Sequence, residues 1–110
     1  MAKREIIKIK KILINFFREK GLSIERIVVF GSYAKGKENK DSDIDLIIVS
    51  RDFRNKDIFE RVKLTRGIHR NLIEEIMKPF DIMYYSDDEW KRGNSLIINV
   101  AKEEGEVIYG

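Results

Sequence analysis

Cysteine is missing from all 110 residues, which excludes disulfides and thiolate zinc sites. Proline occurs once, at Pro79, so there is almost nothing to break helices elsewhere. No run of 18 apolar residues occurs, which excludes a hydrophobic membrane-spanning helix, and no apolar block follows the charged N-terminal stretch, so no signal peptide is read. An excess of one charge is also lacking: 22 basic residues face 19 acidic ones, for a net charge of +3. Such a balance permits binding of nucleotide or nucleic acid without demanding it. Repeats, low-complexity tracts and linkers are absent. The expectation is one soluble, cytoplasmic domain over residues 1–110, with no membrane partner.

What is present suffices for a core: 43% of residues are hydrophobic. Ile6, Ile9, Leu13, Phe16 and Phe17 recur at helical spacing between about Ala2 and Lys20, and Gly21 stands where such a helix would stop. Ile24 to Phe30 is β-branched and aromatic and reads as a buried strand, as does Asp43 to Val49. Between them, Gly31 to Ser42 is a polar loop with room for one short helix. The stripe Ile58, Val62, Thr65, His69, Leu72, Ile76 predicts a long helix from Asn55 or Asp57 to about Lys78, broken by Pro79. Phe80 to Tyr85 reads as a third strand. Ser86 and Glu89 form a capping box for a further helix, which Asn94 to Glu103 continues. Val107 to Tyr109 is a candidate edge strand. The order predicts an α/β (α+β) domain: a small mixed sheet flanked by helices.

Two neighbouring features carry chemistry. Gly31-Ser32 directly follows a strand. Glycine lets backbone approach an anion closely, and N–H groups of a tight turn suit phosphate oxygens. Lys35 and Lys37 add positive charge nearby. Asp43 and Asp45 head the next strand. Residues two apart in a strand share a face, roughly 6.5–7 Å apart. Two such carboxylates can bridge hard cations, whereas burying them without cations is costly. A third carboxylate, Asp81, sits early in the third strand and shares a face with Met83 and Tyr85. If that strand lies beside the second, Asp81 joins the cluster as a metal ligand and as acceptor of a hydroxyl proton.

Gly31-Ser32, ten residues, then Asp43-Ile44-Asp45 resembles the signature of the DNA polymerase β-like nucleotidyltransferase superfamily. The fuller run Gly31-Ser32-Tyr33-Ala34-Lys35-Gly36 with Ser42-Asp43-Ile44-Asp45, the later Asp81, and the ending Asn94-Ser95-Leu96-Ile97 with Glu106-Val107-Ile108-Tyr109 are similar to its minimal branch, called MNT, over nearly the whole chain. Lys35 stands where many relatives carry arginine; it keeps the charge and loses the bidentate fork. The resemblance implies the polymerase β-like fold. It implies that Asp43, Asp45 and Asp81 hold two Mg²⁺ ions, and that Gly31 and Ser32 grip the phosphates of ATP, with Lys35 and Ser42 as further nucleotide contacts. It also implies that Asp81 activates an acceptor hydroxyl. MNT proteins of this size resemble antitoxins paired with HEPN-domain toxins, so the implied reaction is AMP transfer from ATP to a tyrosine of such a toxin.

Plainer readings stand beside these. Gly31-Ser32 can be an ordinary turn, Asp43 and Asp45 a solvated strand start, Asp81 a surface residue, and Ser42 a loop support. His69 reads as a packing or interface histidine. Arg54, Arg61, Lys63, Arg66 and Arg70 read as a solvated helix face, with phosphate or partner binding as the alternative. Trp90 and Tyr85 read as packing anchors. The competing functions are a non-catalytic nucleotide- or toxin-binding antitoxin module and a nucleic-acid binder. The last is disfavoured because aromatics do not interleave the basic segments.

Overall fold

A computed structural model of the chain describes residues 1–93 and 95–110. Asn94, where the sequence is read as continuing the helix that Ser86 opens, lies outside the described residues. Four strands form one mixed sheet: β1 (Arg26–Phe30), β2 (Ile44–Val49), β3 (Phe80–Tyr85) and β4 (Glu106–Tyr109), in the order β3-β2-β1-β4. β1 is antiparallel to both β2 and β4, while β2 and β3 run parallel. A parallel pair needs a crossover, and α3 (Ile58–Leu64) and α4 (Ile68–Ile76) provide it. The remaining helices are α1 (Lys3–Glu19), α2 (Ser32–Lys35), α5 (Asp87–Arg92) and α6 (Leu96–Glu104). No described helix is long and apolar enough to cross a membrane.

Alternation along the strands builds a core on each face. On one face, Ile9, Leu13 and Phe17 of α1 and Ile68 and Leu72 of α4 pack on Ile27, Leu46, Ile48 and Tyr84. On the other, Trp90, Ile98 and Ala101 cover Val28, Ile47 and Val49. β2 is the strand with the most to lose from polarity. All its residues are buried except Asp45, which is half-buried.

The single long helix expected between Asp57 and Lys78 is two helices. Asp57 opens α3 with a reciprocal capping box to Glu60. Thr65 then turns its hydroxyl back onto the Arg61 carbonyl at 2.9 Å, and Gly67 takes φ +99°, a conformation that suits glycine alone. The break resets the helical phase. The core face of the second half is Ile68 and Leu72, while Ile58 and Val62 stay 54% and 51% exposed. The periodicity was real, but the two halves present it to different surroundings. His69 is accordingly exposed, although its Nε2 lies 2.8 Å from the Phe80 carbonyl oxygen. A short 3₁₀ turn at Arg51–Phe53, capped by Ser50, follows β2 and buries Phe53 against Phe17 and Tyr84.

Arg61 does not belong to a solvated face; it is only 8% exposed. One guanidinium nitrogen donates to the Tyr84 carbonyl at 2.9 Å and to Glu89 at 2.7 Å, and the group lies over the Phe53 ring. Arg61 thus ties α3 to β3 and α5. Burial pushes the Glu89 carboxyl up, but the Ser86 N–H and Arg61 outweigh it and hold Glu89 below the usual glutamate range. Arg61→Ala should cost about 2–3 kcal/mol in denaturant unfolding, less than a fully buried pair because Glu89 keeps some water. Because the folded pKa of Glu89 is depressed, its contribution is complete at neutral pH and fades as acid reaches the carboxylate range. The gap between wild type and Arg61→Ala should therefore narrow on acidification.

Candidate active site

Asp45 is the partner of Phe30 across β1–β2 and the direct partner of Asp81 across β2–β3. Parallel in-register pairing puts both carboxylates on one face of the sheet, the face shared by Met83 and Tyr85. Asp43 precedes β2 by one residue and is exposed, as is Asp81. Asp45 is the member driven out of water, and its carboxyl is raised above the usual aspartate range. Burial is the larger cause, followed by the charges of Asp81 and Asp43. The three acids selected by spacing therefore sit within electrostatic reach of one another. Among the described residues, no three acids or histidines are already arranged to hold a single ion. Their donor chemistry is nonetheless that of a hard divalent cation: carboxylate oxygens, with a neighbouring open loop.

Gly31 connects β1 to α2 at φ 74°, ψ −151°, in the left-handed half of the map where a side chain is strained. A second constraint is spatial. A Cβ at Gly31 would overlap the Asp45 carboxylate. The glycine thus fits both as a bend and as the close neighbour of an acid. Ser32 opens α2, and no side chain caps that helix end. Its first N–H groups consequently have no acceptor within the helix. Tyr33 is buried in the core, under the Lys78 ammonium, and pins α2 in place.

The other residues singled out in the loop have local duties. The Lys35 ammonium is paired with Glu104 at the end of α6, 3.0 Å away, and both are partly exposed. The Ser42 hydroxyl accepts the Asn39 N–H at 2.9 Å, while the Asn39 side chain accepts from Asp41. That turn delivers the chain to Asp43. Neither the burial of Arg61 nor the pairing of Glu104 leaves a local signal in the sequence, because both arise from contacts far apart in the chain.

Asp45 gives a signed prediction. Its folded pKa lies above its unfolded one, so ionised Asp45 opposes folding at neutral pH, and the penalty disappears as acid protonates it. In chelator, Asp45→Asn should melt a few degrees higher than wild type near pH 7, with the difference vanishing in acid. Gly31→Ala should melt lower, by about 1–3 kcal/mol of stability, since it meets strain and the carboxylate together.

Residues 10–108 match the nucleotidyltransferase domain family. A protein of Methanocaldococcus jannaschii, provisionally named a protein adenylyltransferase, is 34% identical over 88 residues, covering 78% of this chain and 79% of that protein. Among solved structures, a toxin–antitoxin complex with AMP-PNP has a chain that superposes with a TM-score of 0.62 at 21% identity, over 91% of this chain and 72% of that one. A chain from the complex of tri-AMPylated Shewanella oneidensis HEPN toxin with MNT antitoxin gives 0.59 at 19%, over 100% and 73%. A nucleotidyltransferase of Sulfolobus solfataricus, also provisionally so named, gives 0.59 at 19%, over 94% and 82%. The superpositions agree in fold, a four-stranded mixed sheet flanked by helices, and the family match spans nearly all of the sequence that builds it. This chain belongs to the nucleotidyltransferase family and is an enzyme of that class.

Proposed function

We propose that this protein transfers AMP from ATP to a tyrosine hydroxyl of a HEPN-domain toxin in the cytoplasm, acting as the antitoxin of the pair. The observation that carries the reaction is the register of Asp45 against Asp81 beside the Gly31 bend. The acceptor and donor are supported by the adenylyltransferase relative and by the likeness to chains from HEPN–MNT and AMP-PNP complexes.

In this reading Gly31 and Ser32 hold the outer phosphates through backbone N–H groups and the Ser32 hydroxyl. Lys35, released from Glu104, adds positive charge, and Ser42 supports the loop or touches the nucleotide. Asp43, Asp45 and Asp81 hold Mg²⁺, with two ions expected. When bound, the cations neutralise the carboxylate cluster and the charge developing on the phosphates. Asp81 accepts the proton of the attacking hydroxyl. The hydroxyl oxygen forms a bond to the α-phosphorus as the α–β bridging P–O bond breaks. Its electron pair leaves with pyrophosphate. Positioning and electrostatics supply the rate.

With labelled ATP, Mg²⁺ and a HEPN toxin, label should pass to a toxin tyrosine. Asp43→Asn and Asp45→Asn should slow transfer by about a thousandfold. Asp81→Asn should lose ~10²–10⁴ in kcat with Mg·ATP affinity less affected, as expected for removal of a proton acceptor. Wild type that transfers no more label than Asp45→Asn, while still neutralising the toxin, would leave a binding module instead. Metal linkage gives a separate check. Mg·ATP at a hundredfold excess over Kd should stabilise wild type by about 2.7 kcal/mol, and Asp45→Asn far less.

A further inference from the structure

The two halves of the candidate site lie on strands that are not neighbours. Gly31 and Ser32 follow β1, Asp81 belongs to β3, and β2 separates those strands in the sheet. The glycine-serine turn leads into α2, which has only four residues. A helix of one turn has no stability of its own, so its place is set by what its side chains touch. Tyr33 is the buried residue of α2 and supplies that contact.

One side chain reaches the Tyr33 ring from the head of β3. The Lys78 ammonium lies over it, 5.5 Å from the centroid, and pairs with Glu5 in the first turn of α1. A single cation thus joins α1 and α2 to the residue that stands two before Phe80, where β3 begins. Glu5 outweighs the effect of burial and raises the Lys78 ammonium above the usual lysine range, which keeps it charged.

The backbone beside Lys78 is narrowly held as well. Met77 takes φ 63°, a left-handed conformation that bulky residues seldom adopt, although its own side chain is 81% exposed. Pro79 is exposed too, and its carbonyl accepts the Ile44 N–H at 2.9 Å. Of these three residues, Lys78 is the one whose side chain ties the turn to the rest of the fold. Unfavoured backbone persists where its surroundings over-determine it, and such places cluster near functional sites.

We propose that Lys78 is a positioning residue for transfer: through Tyr33 it fixes the glycine-serine turn relative to Asp81. This rests on the transfer reading, in which that turn holds the donor phosphates and Asp81 takes the acceptor proton. In-line attack depends on where the α-phosphorus lies relative to the attacking oxygen, and a misplacement of about 1 Å can cost about a hundredfold in rate. Lys78 acts from behind the site. Tyr33 belongs to the core beneath α1 and α4, whereas Asp45 and Asp81 share the opposite face of the sheet with Met83.

The test uses the full chain and reads kcat, Mg·ATP affinity and amide exchange on the same variants. Lys78→Met keeps the apolar stem and removes the charge. It should lower kcat for labelled AMP transfer to a HEPN toxin by ~10–100-fold while changing the Mg·ATP Kd by less than about threefold. Exchange of the Lys35 and Lys37 N–H groups, which bond to the Gly31 and Ser32 carbonyls, should quicken at least tenfold. Lys78→Arg can still pair with Glu5 and lie over the ring, so it should restore kcat to within about threefold. Lys8→Met is the control. It removes a different tie from α1, to the Glu75 carbonyl at 2.9 Å, and should leave kcat and α2 exchange unchanged. Equal loss in Lys8→Met, no rescue by arginine, unchanged exchange at Lys35 and Lys37, or a loss confined to Mg·ATP binding each overturns the proposal. If Lys78→Met misfolds, Glu5→Gln removes the ion pair alone and should move kcat and exchange in the same directions; no movement overturns the proposal. Faster α2 exchange in Lys78→Met, with no AMP transferred by wild type, upholds the tie and removes the transfer reading. Absence of both effects removes both.

Discussion

Burial of the Asp45 carboxylate beside two further acids, at one end of an apolar strand, is the constraint around which this domain is arranged. Asp45 is the one polar side chain in an otherwise apolar β2, and it faces Asp81 across a parallel ladder. Ile44, Leu46, Ile47, Ile48 and Val49 are buried on both faces of the sheet, which holds β2 in the interior beside β3. The core therefore holds the acids together against their own charge. Gly31 is part of the same arrangement, because only a residue without a side chain leaves the Asp45 carboxylate its place.

Around that cluster the supports come from distant parts of the chain. Tyr33 anchors the short α2 so that its uncapped first turn stays beside Asp45. Asn39 and Ser42 close the turn that feeds Asp43 into β2. On the far side of β3, Arg61 links α3, β3 and α5 through one buried guanidinium. A planar, permanently charged donor suits that junction better than lysine would, since it serves a carbonyl, a carboxylate and an aromatic face together. The sheet end proposed to carry chemistry is thus held by contacts drawn from distant parts of the chain.

The strands, and the meeting of the candidate residues at one end of the sheet, were legible in the sequence for the same reason: each is a short-range pattern. β3 begins and ends where the apolar run does, Ser86 and Glu89 cap α5 as their spacing indicates, and Gly31, Asp43, Asp45 and Asp81 come to one end of the sheet as a parallel β2–β3 pair would require. Legibility ended where tertiary context decides. The apolar stripe from Ile58 to Ile76 could not reveal that Thr65 and Gly67 reset the helical phase. Nor could composition separate Arg61, buried under Tyr84, from the exposed Arg66 and Arg70. A charged residue on a helix is solvated by default, and only the partner waiting across the fold, Glu89, reverses that.

β3 connects these observations. Toward β2 it contributes Asp81 to a cluster in which burial and neighbouring charge disfavour ionised Asp45. On its other side, Arg61 and His69 hold the Tyr84 and Phe80 carbonyls. Bare acid clusters are normally avoided, so this one lowers the stability of the resting protein. In the proposed reaction it is relieved by cations arriving with nucleotide. A strand fixed by the β2 ladder on one side and by Arg61 on the other keeps Asp81 in place against that repulsion.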